Sequence, residues 1–554
     1  MGKVRKGRKT FKKKQKFERK EIVDETLEED FSEDEMLVAS ATSESEDLDQ
    51  MSEDISDVEK EFSSKVQELN EENFDIWKQN ADIKSRVEAF YSVAFKESEE
   101  LLPYSVSDEV HDSLIIFSLG TLNNDLKEGM NSVMLSEEYK KKLKSQIKLF
   151  LQSVLKFLED STDITLKKAC LNNLDLLLLS PYPKMMKRYL DHAINLWSTE
   201  CLDICVIVIS RIVRLQESRY PYVLKVMYQK FLKSCKTVTS FNHTKVHQLI
   251  TSLCEIYNFD TEKSYHFAFK YLRNMAVLLR NALIHKSADH FRKVYSWQFI
   301  CCVRFYSTLL SSRKLDLLIY PFIQVTLGAL GLQESAKYHP YHFHCIAALL
   351  QVAKQTQTWI PLAIPILDIL QSCKRSQKSS LRAIDFRISI KVANNYLNTR
   401  VYNESVQEEC LYLLTCYLAS ISSSPAFPEI SHPIRISLKK FLKVNKNPKL
   451  KSPVQSLLTH MQEQSDHSLE MNRDSKDGPL VEFFVNYEKL RAQKESLVLK
   501  ENLMEQSEEK TDKEYSENRK ESKVKLMKPE QETILHATPN EDDLVEDFYL
   551  SDAE

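Results

Sequence analysis

A chain of 554 residues with 42% hydrophobic and 28% charged residues has the composition of a soluble globular region joined to polar tails, not of a fully disordered protein. Only seven glycines occur, and between residues 150 and 450 there are two, Gly328 and Gly331. Glycine supplies the positive-φ turns and close backbone approach of phosphate loops, Rossmann turns and hairpins, so this scarcity argues against a nucleotide-binding α/β enzyme or a β-rich fold. The net charge of −4 hides opposed blocks whose order along the chain matters more than the sum.

The first element is a basic arm, KVRKGRKTFKKKQKFERK, within a stretch (1–20) that carries eleven Lys/Arg and one acid. Lys3, Arg5, Lys6, Arg8, Lys9, Lys12, Lys13 and Lys14 form the cluster that an importin-type carrier reads in an extended peptide. The same side chains neutralise phosphates and release counterions. Nuclear targeting with added RNA contact is the expectation, and a merely solvated tail is the alternative.

Residues 21–60 reverse the sign, with seventeen acids against Lys60 alone. Thr26, Ser32, Ser43 and Ser56 each precede an acid by three residues, the spacing that acidophilic kinases of the casein kinase 2 type prefer, and Ser551 repeats it near the C-terminus. Phosphorylation of at least one is expected, each event adding about −1.5 to −2 charges. The acidic block is also placed to shield the arm from non-specific nucleic acid.

From about 60 to 130 the pattern is helical and highly charged, with Phe74, Trp77, Phe90, Tyr91 and Phe95 available for docking. Regular helices follow. Glu137 to Glu159 places Leu143, Ile147, Leu151, Val154, Leu155 and Leu158 at steps of three and four, and after a break at Pro181 and Pro183 further helices continue. One of them carries Val246, Leu249, Ile250, Leu253 and Tyr257 as a single apolar stripe. Winding Phe269 to Leu283 at about 100° per residue puts Leu272, Met275, Leu279, Ala282 and Leu283 on one side. Lys270, Arg273, Asn274, Arg280 and Asn281 fall opposite, and Arg292, Lys293 and Arg304 follow on the next helix. These eight residues are the best internal candidates for phosphate or acidic-partner contact, because Arg holds phosphate bidentately and Asn adds hydrogen bonds. The alternative is an ordinary solvated face or salt bridges within the scaffold.

Several features set limits on function. The longest uncharged apolar stretch, Leu317 to Leu332, contains Pro321, Gln324 and two glycines; a membrane span needs about 20 mostly apolar residues, so a buried core helix is expected. No apolar segment follows the first methionine, so secretion is not expected. Eleven cysteines with no CxxC pair read as reduced, mostly buried thiols. His339, His342, His344 and Cys345 cluster, and His243 and His247 are four apart, yet neither set has a companion Cys pair or an HExxH glutamate. Packed or surface histidines, no metal and no cofactor are the expectation. No GxSxG or GxxxxGK[ST] motif occurs, so no catalytic residue is assigned and no enzymatic activity is expected.

After Ser424, SSPAFPEISHP reads as a boundary or long elbow, followed by helices near Pro433 to Val444 and Ser452 to Glu463. PLVEFFVNYEKLRAQKESL reads as an isolated short helix within 479–497, and the remainder is densely charged, with seven acids and no base in 541–554. The expected organisation is a basic arm (1–20), an acidic disordered segment (21–60), an α-helical scaffold (65–463) and a mostly disordered charged tail (464–554).

The runs YLRNMAVLLRNAL, VYSWQF, LIYPFIQVTLGAL, YHPYHFHC and WIPLAIPILDIL resemble the family of nucleolar complex protein 2, over about 245–420 and less closely back to about 65. Together with the helix density, the resemblance implies an all-α fold, an elongated superhelical stack of HEAT/armadillo-like helix pairs. It implies a non-enzymatic scaffold in large ribosomal subunit assembly, in nucleolus and nucleoplasm, with nucleolar complex proteins 1 and 3, pre-ribosomal particles and ribosomal RNA as partners. A chromatin reading, with the acidic segment engaging histones, and a HEAT-type transport adaptor are the alternatives. No membrane association is expected.

Overall fold

The computed structural model describes residues 67–96, 102–131, 137–200, 203–373, 381–382, 384–445, 448–470, 480–493 and 496. The basic arm, the acidic block, all five candidate phosphosites and the acidic C-terminus lie outside the described residues. All the described residues belong to one unit that begins at Ser63.

The described residues of that unit are almost entirely α-helical. It opens with α1 (Glu71–Asn80), α2 (Ile83–Ala94), α3 (Asp108–Asn131), α4 (Glu137–Asp160) and α5 (Ile164–Asn173). Next come α6 (Pro183–Glu200), α7 (Asp203–Leu215), α8 (Tyr220–Ser234), α9 (His243–Tyr257), α10 (Thr261–His285) and α11 (Ala288–Val294). The series continues with α12 (Trp297–Ser311), α13 (Ile319–Leu330), α14 (His339–Thr356), α15 (Ala363–Ser372), α16 (Arg400–Ile421), α17 (Phe427–Val444) and α18 (Pro448–Glu470). A last helix, α19, spans 480–493. A feature that the periodicity does not announce is a short parallel pair, β1 (Gln67–Leu69) with β2 (Tyr104–Val106), in which Gln67 faces Tyr104.

Apart from α11, which packs on α10, helices α2 to α18 stack in two rows. In one, α2 packs on α4, α4 on α6, α6 on α8, α8 on α10, α10 on α13, and α15 on α17. In the other, α3, α5, α7, α9, α12, α14, α16 and α18 pack in that succession. Rungs join the rows where α2 meets α3, α6 meets α7, α8 meets α9, α13 meets α14, α15 meets α16 and α17 meets α18. This is the stacked-pair architecture that the sequence leads one to expect: each pair buries its stripe against its neighbours.

The stripes read from the sequence do bury. Leu143, Ile147, Leu151, Val154, Leu155 and Leu158 of α4, and Val246, Leu249, Ile250, Leu253 and Tyr257 of α9, are all buried. Each such side chain contributes on the order of 2 kcal/mol before chain entropy is set against it. Aromatic rings lock the rows: Tyr257 meets Phe305 of α12 edge-on at 5.2 Å, and Tyr228 of α8 stacks on Tyr271 of α10 at 3.9 Å. The buried Tyr306 hydroxyl donates to the Ala268 carbonyl at 2.7 Å and so ties α12 to α10. Near the first helices, Phe74 and Trp77 pack edge-on against Phe117, while Phe90 lies 5.5 Å from Phe150.

Three readings need correction. SSPAFPEISHP is not an elbow but leads into α17: Pro428 sits in the first turn, where a missing N–H costs nothing, and Pro433 is carried inside the helix. The stretch Leu317 to Leu332 is only partly a core helix, because Leu317 and Tyr320 are exposed. Finally, α19 is not isolated. Its Tyr487 and Phe484 lie against Tyr412 of α16, and its Phe483 lies 4.7 Å from His460 of α18. Among the described residues no helix is long and apolar enough to cross a membrane.

Candidate partner-binding surface

Helix α10 is defined at both ends by local chemistry. The Asp260 carboxylate caps it by accepting from the Glu262 and Lys263 amides at 3.1 and 3.2 Å. It stops where Lys286 turns left-handed at φ 49°. Between these ends Leu272, Met275, Leu279 and Ala282 are buried, as the wheel predicts. Leu283, placed on the same side by that wheel, is instead exposed, because it lies at the edge of the arc beyond the reach of the packed neighbours.

The outward arc is not simply polar. Phe269, Val277 and Ile284 are 43% to 60% exposed, and Arg273 and Arg280, also exposed, lie between them. At about 100° per residue all five fall within one narrow sector, so α10 presents Phe269, Arg273, Val277, Arg280 and Ile284 in alternation. Among the described residues neither Arg273 nor Arg280 has an acidic partner at ion-pair distance. Lys270 is exposed beside the strip, and Asn274 and Asn281 are half-buried at its flank. Helix α11 packs on α10 and bears the exposed Arg292 and Lys293; Arg292 lies 3.4 Å from Asp289 one turn back.

At its N-terminal end the strip runs into a cleft of about 450 Å³, lined by Tyr265, His266, Glu262, Arg313, Lys314 and Leu317 among others. The Tyr265 and Phe269 rings stack 6.1 Å apart, which makes cleft and strip continuous. Two bases and two acids, Glu262 and Asp316, line the cleft, so its charge nearly balances and its aromatic wall and the exposed Leu317 dominate. Such a surface suits a partner that offers apolar anchors flanked by negative groups. The apolar members of the strip escaped the sequence reading because the wheel was sorted by charge. The signal was present in the i, i+4 spacing of Phe269, Arg273 and Val277.

Arg304 does not join this surface. It lies half-buried on α12, where burial lowers its pKa and its electrostatic neighbours are Cys301, Cys235, His243 and His344. Those residues lie at the C-terminal cap of α8 and in the second row, not on the exposed arc of α10. Nearby, Asp385 is gripped by Arg387 through two contacts of 2.9 and 3.0 Å. The candidate targeting lysines and arginines (3–14) lie outside the described residues.

The clustered histidines are packed side chains. His339, His342 and His344 are buried, and burial pushes the first two down to about 4 and the third to about 3. His344 Nε2 lies 3.1 Å from the Ser389 carbonyl, and His339 Nε2 lies 3.3 Å from Ser372 Oγ. Among the described residues no group of three or more His, Cys, Asp or Glu converges as metal ligands do. The described cysteines are free thiols, buried except for the half-buried Cys373 and Cys416.

Against this geometry stand the known proteins that the chain resembles. Residues 219–479, from the residue preceding α8 to the residue preceding α19, match the Noc2p family. An uncharacterized NOC2 family protein of Schizosaccharomyces pombe is 26% identical over 434 residues, which is 71% of this chain and 60% of that protein. Nucleolar complex protein 2 of Drosophila melanogaster is 29% identical over 350 residues, 60% of this chain and 45% of that protein. Nucleolar complex-associated protein 2 of Arabidopsis thaliana is 26% identical over 337 residues, 58% of this chain and 44% of that protein. The chain thus spans about half the length of the curated relatives it matches. The stretch that matches, α8 to α18, includes the helix that carries the strip.

Proposed function

We propose that this chain is a Noc2p-family scaffold which, without catalysis, supports the assembly and intranuclear maturation and transport of large ribosomal subunit precursors in nucleolus and nucleoplasm. The observation that carries the reading is the exposed, alternately apolar and basic strip of α10, which lies inside the stretch that matches the Noc2p family. A stacked helical array holds such a strip rigidly, and rigid elements place recognition groups more accurately than loops do. In this reading the strip meets pre-ribosomal particles, through ribosomal RNA or through nucleolar complex proteins 1 and 3, and the basic arm engages an importin-type carrier.

The test is sedimentation of the tagged endogenous protein on a sucrose gradient, with and without mild RNase, with ribosomal RNA precursors probed across the fractions. Co-migration with large-subunit precursors that RNase abolishes, and that the paired change Arg273→Glu, Arg280→Glu removes, supports the proposal. Migration only as a small complex without precursor RNA overturns it and turns attention to histone binding through residues 21–60.

A further inference from the structure

We infer that the strip of α10 is also the docking site of this chain's own acidic C-terminal segment, residues 541–554, which covers it until a partner displaces it. The inference rests on the reading of the strip as the partner-binding face.

The motif is in the chain. EDDLVEDFYLSDAE carries seven acids, no base, and five large apolar residues interleaved with the acids. Its order is acid (Asp542, Asp543), apolar (Leu544, Val545), acid (Glu546, Asp547), apolar (Phe548, Tyr549, Leu550). From its C-terminal part backwards, the strip reads basic (Arg280), apolar (Val277), basic (Arg273), aromatic (Phe269), and then opens into the cleft at Tyr265. Laid antiparallel, each acidic pair meets an arginine that has no acidic partner among the described residues, Leu544 and Val545 meet Val277, and Phe548 to Leu550 reach Phe269 and the cleft.

The repeats are commensurate. Arg273 and Arg280 are about 10 Å apart along the helix axis, and the two acidic pairs are about 13 Å apart in an extended segment. Ser551 follows at the end of the cleft that holds Arg313 and Lys314, where a phosphate would strengthen the contact.

Reach and concentration also fit. Between residue 493 of α19 and Asp542 stand the 48 residues 494–541, and a coil of that length has a root-mean-square reach on the order of 40 Å. Phe484 of α19 lies 5.9 Å from the Lys354 Nζ of α14. Helix α14 packs on α13, and α13 on α10, so the path is roughly 30 Å at 8–10 Å per packed axis. A tether of this length gives an effective concentration near the millimolar range, enough for a short peptide of modest intrinsic affinity.

The test uses the full-length protein with a photo-crosslinking phenylalanine analogue at Phe548, irradiated as a dilute mixture of ¹⁴N and ¹⁵N chains. Crosslinks within one chain to residues 265–284 and 313–320 are expected. Arg273→Glu with Arg280→Glu should lower their yield by about tenfold, since it replaces attraction by repulsion at two sites, with helicity and thermal midpoint unchanged. Adding Asp542→Lys, Asp543→Lys, Glu546→Lys and Asp547→Lys to that variant should restore the yield. Crosslinks that map elsewhere, that join two chains, or that persist undiminished in the arginine variant overturn the inference. The two readings fail separately: loss of strip crosslinks by charge reversal without any change in precursor sedimentation sinks the partner-face reading alone. The converse pattern sinks only the tail contact.

Discussion

Arg491 lies over the ring of Tyr412, its guanidinium carbon 3.8 Å from the ring centroid, while its Nη2 sits 2.7 Å from the Glu409 carboxylate. One side chain thereby makes a cation–π contact and an ion pair, and both its partners belong to α16. The contact adds to the ring contacts of Phe483, Phe484 and Tyr487 in seating α19.

Arg491→Ala should therefore release α19 while leaving the rows intact. The pair is mostly shielded from water, so the loss is on the order of 1–2 kcal/mol. Hydrogen exchange across 480–493 should accelerate about tenfold, with protection in α12 and α14 unchanged. Unaltered exchange in α19 contradicts the docking role given to Arg491.

The packed histidines make the scaffold sensitive to acid. Because burial lowers the pKa of His339, His342 and His344 in the folded chain to about 4, 4 and 3, the unfolded chain takes up protons first as pH falls. Their contribution is complete above about pH 6.5 and is lost as pH drops from there towards 4. The slope is about 1.4 kcal/mol per pH unit for each histidine, or about 2 kcal/mol each by pH 5. Urea unfolding between pH 7 and 5 should show this slope, and His342→Phe should reduce it by about a third. An identical slope in that variant assigns the acid sensitivity to other groups.

Glycine scarcity has a local cost. Helices α10 and α14 end at Lys286 (φ 49°) and Gln357 (φ 58°), in the left-handed region that disfavours a Cβ. Lys286→Gly and Gln357→Gly should each raise stability by about 0.5–1 kcal/mol, the relief of strain exceeding the entropy that glycine adds to the unfolded chain. A fall in the thermal midpoint of either variant refutes the strain assigned to that cap.

The α10 strip should separate stability from association. Val277→Glu and Ile284→Glu change exposed positions and should move unfolding free energy by no more than about 0.5 kcal/mol. They should, however, weaken association with precursor particles by about tenfold or more, as central apolar contacts do. Leu279→Ala, on the buried side of the same helix, should cost about 2–5 kcal/mol. If the exposed and buried changes lower the thermal midpoint equally, the strip is structural.

What the sequence by itself determined is whatever depends on residues a few positions apart. Helix existence, the stripes of α4 and α9, the near absence of strands and the polarity of the tails are all written in local period and composition. That the YHPYHFHC histidines sit on a helix was legible too, from the apolar run that continues them, but their burial was decided by the packing. Only the tertiary structure decided which exposed arc stays uncovered, because that depends on which helix lands where. It put Leu283 and Leu317 in water, drew Arg304 inward among thiols and histidines, and seated α19 on Tyr412. Each of these outcomes is set by contacts between residues tens of positions apart, for which period and composition carry no term.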